Sequence, residues 1–218
     1  MKVFAPSETN FQARNSTIRF ADDVARRVNT CYPRVSVTKV KSYDNANQFA
    51  SLIENIGEKL AKNVRKAKGE MYDDADSFCQ RIKAFVAPVK KNGLGNCGES
   101  AQLASIVAKV NGIKDCNIVH LYTAEGKDLD HAVLFVYGDK PYIIDSWLGF
   151  ADYVPNVLDK YKTTYSNIFD DIKPNDTLTF ISYTDDEYTD FLKNDFTRKQ
   201  INKLKKIYPE QFIKRGYV

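Results

Sequence analysis

Gly95-Asn96-Cys97-Gly98-Glu99-Ser100 opens the stretch that decides the fold, and Ala101 to Val110 continues it to Asn111-Gly112. Asn96 is a strong N-cap, and Glu99 stands three residues on, as in a capping box. The small side chains of Ala101, Ala104 and Ala108 permit close packing, and Gly112 supplies a stop, so residues 96–110 read as a helix. Cys97 therefore takes the first helical position. Three extended segments follow, Asn117–Thr123, Asp130–Tyr137 and Tyr142–Trp147, joined by the turn-forming stretches 124–127 and 138–141. The run from Ala132 to Tyr137 is apolar on both faces, as in a central strand. A helix followed by an antiparallel set of strands predicts an α+β fold.

Outward from this centre, helices are expected over residues 19–31, over 46–68 with Gly69 as the residue after its end, and from Asp74 to a stop at Pro88. Arg34–Lys41 reads as an edge strand and Lys90–Gly95 as a loop. On the far side, 150–175 reads as mixed helix and loop and Thr177–Tyr183 as a strand. Two capping boxes, Thr184 with Glu187 and Thr197 with Gln200, open two terminal helices. There is no internal repeat. The expected organisation is one domain over 1–218: a mainly helical part to residue 90, a catalytic core over 91–150, and a helix and strand part over 151–218.

With 218 residues, 43% hydrophobic and 28% charged, the chain has the composition of an ordinary folded domain, which excludes disorder and fibre. Its 13 Phe, 13 Tyr and 1 Trp can build a core without metal or disulfide staples. Four scattered cysteines and two histidines form no metal-ligand set, and no cofactor is called for. The net charge of +4 divides unevenly: residues 1–70 and 191–218 are basic, while 71–190 hold 19 Asp/Glu against 11 Lys/Arg. No aromatic interleaving or nucleic-acid motif accompanies the basic ends. The start lacks the apolar run of a signal peptide, and no stretch suits a membrane span. A soluble cytoplasmic protein is expected, or one exported without such a signal.

Cysteine is a poor nucleophile as a neutral thiol, and a helix start favours the thiolate through its free N–H groups and its dipole. Gly95 and Gly98 leave the sulfur uncovered. A partner must take and return a proton near neutral pH, which is work for a histidine. His131 enters an apolar strand just after Asp128-Leu129-Asp130, and Asp145 ends the next strand. A three-residue loop over 137–139 would set His131 and Asp145 directly opposite on one face, so the hairpin loop must hold an odd number of residues for the pair to form. His120 would lie beside His131 if the first turn centres between Glu125 and Gly126. Taken singly, the three residues are most simply a small buried hydrophobe, a hydrogen-bonded strand end and a turn cap. Together they are three placements that one mechanism demands.

Gly95-Asn96-Cys97-Gly98-Glu99-Ser100, Asp130-His131-Ala132-Val133 and Tyr142-Ile143-Ile144-Asp145-Ser146-Trp147-Leu148-Gly149 resemble the papain-like cysteine peptidases and the related transglutaminase-like superfamily. The resemblance covers residues 97–147. It implies Cys97 as nucleophile, His131 as general acid and base, Asp145 as orienting group, and Trp147 as the cover of the His–Asp pair. Only 34 residues separate Cys97 from His131, which resembles the compact transglutaminase-like core of one helix on a small antiparallel sheet. That core also serves bacterial effector enzymes that deamidate or crosslink glutamines. The oxyanion glutamine of papain has no counterpart; the Cys97 backbone N–H is one expected oxyanion donor and Asn92 the candidate for the other, with Asn96 as support. The expected function is a cysteine protease, glutamine deamidase or transglutaminase acting on a protein or peptide. The alternative is a binding module that holds an acidic partner through Lys199, Lys203, Lys205, Lys206, Lys214 and Arg215.

Overall fold

The computed structural model describes residues 8–32, 36, 50–166, 168–169, 172–173, 175–182 and 187–213, with the backbone alone for 8–15 and 50–54. It is an α+β fold with seven α-helices among the described residues and one five-stranded antiparallel sheet. The helices are α1 (Glu8–Cys31), α2 (Ala50–Asp73), α3 (Phe78–Asn92), α4 (Cys97–Val110), α5 (Val154–Thr163), α6 (Glu187–Lys193) and α7 (Arg198–Ile207). The strands are β1 (Cys116–Thr123), β2 (Asp128–Val136), β3 (Tyr142–Asp145), β4 (Phe150–Tyr153) and β5 (Leu178–Ser182), in the spatial order β4-β3-β2-β1-β5.

Alternation along the strands sends side chains to two different cores. Ile118, Ala132, Leu134, Ile144 and Ala151 pack with α1, α3 and α4, through Val24, Val28, Phe85, Leu103 and Val107 among others. Val119, Leu121, Val133 and Ile143 pack on the opposite face with Val157 and Tyr161 of α5 and with Phe169 and Ile172. β2 is thus buried on both sides, as its unbroken apolar run requires. α4 is buried along nearly its whole length, with Ala101, Ala104 and Ala108 at 1% exposure or less. Those alanines let it lie close on the sheet and fix where its first residue, Cys97, comes to rest.

Several boundaries differ from the sequence expectation. α2 does not end at Gly69 but runs through it to Asp73. A Cβ on Gly69 would come within 3.2 Å of the Tyr188 hydroxyl, so this glycine answers to a close approach from α6 rather than to a helix end. α3 likewise continues past Pro88 to Asn92, with Gly93 in the left-handed conformation as its cap. Val86, Pro88 and Val89 are all buried, and this burial offsets the hydrogen bond that proline removes. The first helix begins at Glu8 rather than at residue 19. β4 was expected only as part of a mixed segment. The 34–41 strand, the start of the 46–68 helix, Thr184 of the first terminal capping box, and Lys214 and Arg215 of the basic C-terminal part lie outside the described residues, except Ser36, which is in no strand. The second box is present: Thr197 accepts from the Gln200 N–H at 3.3 Å, and Gln200 accepts from the Thr197 N–H at 2.7 Å. Among the described residues, no helix is long and apolar enough to cross a membrane.

Candidate functional site

Cys97 is the first residue of α4 and half-buried. The turn before it is held from both sides. Glu99 Oε2 accepts the Asn96 N–H at 3.0 Å, and Asn96 Oδ1 accepts the hydroxyl of Ser36 at 3.0 Å. Glu99 itself is buried, and its Oε1 takes Lys68 Nζ at 3.0 Å from α2. Burial opposes the Glu99 carboxylate, but Lys68, the Asn96 N–H and Arg65 together hold it down to about 2. The start of α4 is therefore pinned to α2, with the thiol projecting beyond it.

The β2–β3 register is Leu134 opposite Ile144, Phe135 opposite Ile143 and Val136 opposite Tyr142. The loop thus holds five residues, 137–141, where three were expected. Both ends of this loop have a reason to stay unpaired: the Tyr137 amide donates instead to Asp115 O at 3.0 Å, and Pro141 has no N–H to place in a ladder. The count is still odd, so His131 and Asp145 share a face, but they are diagonal rather than directly opposite. Their side chains span the offset, with His131 Nε2 to Asp145 Oδ2 at 2.8 Å.

Both members of this pair are at 1% exposure. Every oxygen of Asp145 is engaged. Oδ2 also accepts the Tyr161 hydroxyl at 2.8 Å, while Oδ1 accepts the backbone N–H groups of Leu148 at 2.9 Å and Trp147 at 3.1 Å. Rings close around the imidazole: Trp147, Tyr161 and Phe169 lie with centroids 5.2, 5.5 and 5.0 Å from it. Burial disfavours the imidazolium, yet the Asp145 carboxylate outweighs it and Cys97 adds to the effect, so His131 is raised to about 10. Burial likewise disfavours the Asp145 carboxylate, and His131, the Leu148 amide and Tyr161 outweigh it, so Asp145 is held below its ordinary value. Cys97 acts electrostatically on the same ring and favours its charged form. With Nε2 committed to Asp145, Nδ1 is the nitrogen that remains for the thiol.

The residue before the histidine makes this geometry possible. Asp130 is the one non-glycine with positive φ among the described residues, at 49°. Its amide bonds to Asp128 Oδ1 at 2.8 Å, and its carbonyl receives the Cys97 S–H at 3.5 Å. The β1–β2 pairing slips at this point: His120 stands opposite Ala132 while Tyr122 stands opposite Asp128. The regular register before the slip pairs His120 with Ala132 on the α4 face, so His131, next along β2, is on the α5 face with Val133. His120 is therefore not beside His131 as the turn-centred register would have it. It lies in a cleft of about 380 Å³ whose walls include Cys97, Lys68, Asp130 and Tyr188. Its Nδ1 is 3.9 Å from Asp128 Oδ2, and burial lowers it below its ordinary value against the pull of Asp128 and Asp130.

Of the expected site residues, Cys97, His131, Asp145 and Trp147 come together, and Asn96 supports them as the cap of α4. Asn92 does not join them: its amide donates to Pro88 O at 2.7 Å, which closes the end of α3. Three contributors escaped sequence reasoning. Tyr161 sits on a helix that no motif marks. Ser36 bridges from the connection after α1, receiving Trp147 Nε1 at 2.9 Å. Asp130, directly before the histidine, was in view, but nothing in its residue type announces a left-handed backbone. The other thiols lie elsewhere; Cys116 is buried, which pushes it up to about 11. No family model, curated protein or solved structure matches this chain.

Proposed function

We propose that the protein is a thiol enzyme that acts on amide or acyl groups of protein substrates, with Cys97 as nucleophile, His131 as acid and base and Asp145 as orienting group, on a core of the papain and transglutaminase-like kind. The observation that carries this reading is the placement of one imidazole between a buried carboxylate at 2.8 Å and the sulfur of a helix-start cysteine that opens to a cleft. A structural ion pair has no need of the third member, and a merely buried cysteine has no need of the cleft.

The sulfur, its proton held by His131, attacks the substrate carbonyl carbon and forms a C–S bond while the carbonyl electrons move to oxygen. The first turn of α4 offers the N–H groups of Cys97 and Gly98 to that oxygen, since such amides have no partner within their helix. A Cβ on Gly98 would meet nothing within 4 Å, so space for the oxyanion lies beside it. The Gly98 amide thus takes the place expected for Asn92 beside the Cys97 N–H, the Asn92 amide being committed to Pro88 O. The C–N bond then breaks as the imidazolium gives its proton to the departing nitrogen, leaving an acyl-thioester and neutral His131. Water or an amine attacks the thioester, His131 takes its proton, and the thiol is restored.

Water after a main-chain cut is proteolysis, water after attack on glutamine is deamidation, and an amine acceptor gives a crosslink. Mass spectrometry of a protein mixture incubated with the wild type or with Cys97→Ala distinguishes them as a new chain terminus, a gain of about one dalton or a joined pair. Iodoacetamide mapping tests the nucleophile itself. Faster labelling at Cys97 than at Cys31, Cys79 and Cys116 is expected; equal labelling together with unchanged substrates ends the proposal.

A further inference from the structure

The exposed side of α7 carries charge of one sign. Arg198, Lys199, Lys203, Lys205 and Lys206 are all exposed, whereas Leu204 is fully buried and Ile201 half-buried on the side that packs on the body of the protein. A groove of about 430 Å³ is lined by Arg198, Lys199, Asn202, Lys203 and Lys206 alone. Several basic side chains elsewhere pair with carboxylates: Lys68 with Glu99, Lys160 with Asp152, Lys193 with Asp190 and Lys90 with Glu210. Among the described residues no carboxylate reaches an ion-pair distance from any cation of α7. Lys205 alone has another partner, the ring of Phe212 at 5.3 Å.

We propose that this face of α7 docks the protein, peripherally and through charge, on an anionic phospholipid surface. A cluster of four or more Lys/Arg on one helix face is the electrostatic footprint of such binding. Leu204 and Ile201 are turned to the protein and only Ile207 at the end of the helix is an exposed apolar residue, too little to insert, so the helix lies flat with its cations toward the headgroups. Two other polyanions fit less well. Single-stranded nucleic acid is held by cations interleaved with aromatic stacking platforms, and the groove holds no aromatic residue. A specific acidic protein needs a buried apolar or aromatic anchor at the centre of its interface, and the groove offers lysine and arginine stems and one asparagine. A bilayer needs neither. The surface shares no lining residue with the Cys97 cleft and is independent of the chemistry there.

The test is co-sedimentation of the full chain with vesicles of phosphatidylcholine mixed with phosphatidylserine, against vesicles of phosphatidylcholine alone. Binding to the mixed vesicles only is expected. It should fall as salt rises from about 0.1 M to about 1 M, where the screening length shrinks from about 10 Å to about 3 Å. The exposed pair Lys203→Ala/Lys206→Ala should weaken it about 25-fold, roughly five-fold for each cation, with an unchanged circular dichroism spectrum. Cys97→Ala should bind as the wild type does. Equal binding to both vesicle types, no binding to either, or undiminished binding by the double variant overturns the proposal. So does capture of a single-stranded oligonucleotide or polyglutamate under conditions where the mixed vesicles are not bound.

Discussion

The chain has two histidines, on neighbouring strands, and the structure treats them in opposite ways. His131 lies on the α5 face among three aromatic rings, 2.8 Å from a carboxylate that is as buried as itself. His120 lies on the α4 face in an open cleft, 3.9 Å from the half-exposed Asp128. Burial alone lowers both. At His131 a fully desolvated, hydrogen-bonded carboxylate overrides burial and raises the imidazole; at His120 the exposed carboxylates are too well solvated to do so. A histidine's charge is thus set less by how deep it sits than by whether its counter-ion is equally dry.

The largest effect that can break this comparison is Asp145→Asn. Leaving His131 without its charge partner should cost about 3–5 kcal/mol in urea denaturation, and amide-bond activity should fall about 10⁴-fold through loss of ring orientation. A loss below 1 kcal/mol would show that the pair is not closed in solution. The pH dependence follows from the two directions. His131 is raised from 6.5 to about 10, so its contribution is complete below pH 6.5 and is lost as pH climbs through 10. Asp145 is lowered from 3.8, so its contribution is present above 3.8 and lost as the pH falls below it. The stability gap between the wild type and Asp145→Asn should therefore be widest between these limits and narrow steadily from pH 6.5 to 10; a gap independent of pH contradicts the assignment.

A third, smaller effect isolates the hydroxyl of Tyr161. Tyr161→Phe keeps the ring against His131 and removes one charge-assisted bond to Asp145, which should cost about 1.5–3 kcal/mol and let the Asp145 titration midpoint rise. An unchanged midpoint would mean that the hydroxyl only fills space. Smallest of all is His120→Gln, expected to change stability by less than about 0.5 kcal/mol and, if the cleft receives substrate, to alter KM more than kcat. Proton NMR of the wild type sharpens the comparison directly, because only two imidazoles contribute: one should titrate below 6.5 and the other far above it.

How much of this was legible follows the range of the interactions. Local signals held: the cap of α4, the Thr197 box, and the unbroken apolar run that makes β2 a central strand are set by residues within a turn or two of each other. Parity of the β2–β3 loop was legible because a one-residue error would have sent Asp145 to the wrong face. Its length was not, since the fate of the Tyr137 amide is decided by Asp115, on another segment. Gly69 and Pro88 misled for a related reason: each is a breaker by its own chemistry, and each is overruled by tertiary packing, against Tyr188 in one case and the apolar core in the other. Tyr161 and Ser36 reach the site across long sequence separations, where pattern carries no information. The resemblance supplied the roles proposed for Cys97, His131 and Asp145, and it set an oxyanion donor at Asn92, whose amide is spent on its own helix.

Ser36 and Trp147 give the protein a built-in optical gauge. Trp147 is the sole tryptophan of the chain, is 4% exposed, stacks obliquely on His131 and donates its indole N–H to the Ser36 hydroxyl. All tryptophan emission therefore comes from a single ring that touches the imidazole of His131 on one side and the Ser36 hydroxyl on the other. A neighbouring imidazolium quenches indole fluorescence, so emission should brighten as His131 loses its proton and shift when the bond to Ser36 breaks. Without any label, the molecule reports in one signal both the protonation of its candidate site and the state of the Trp147–Ser36 bond.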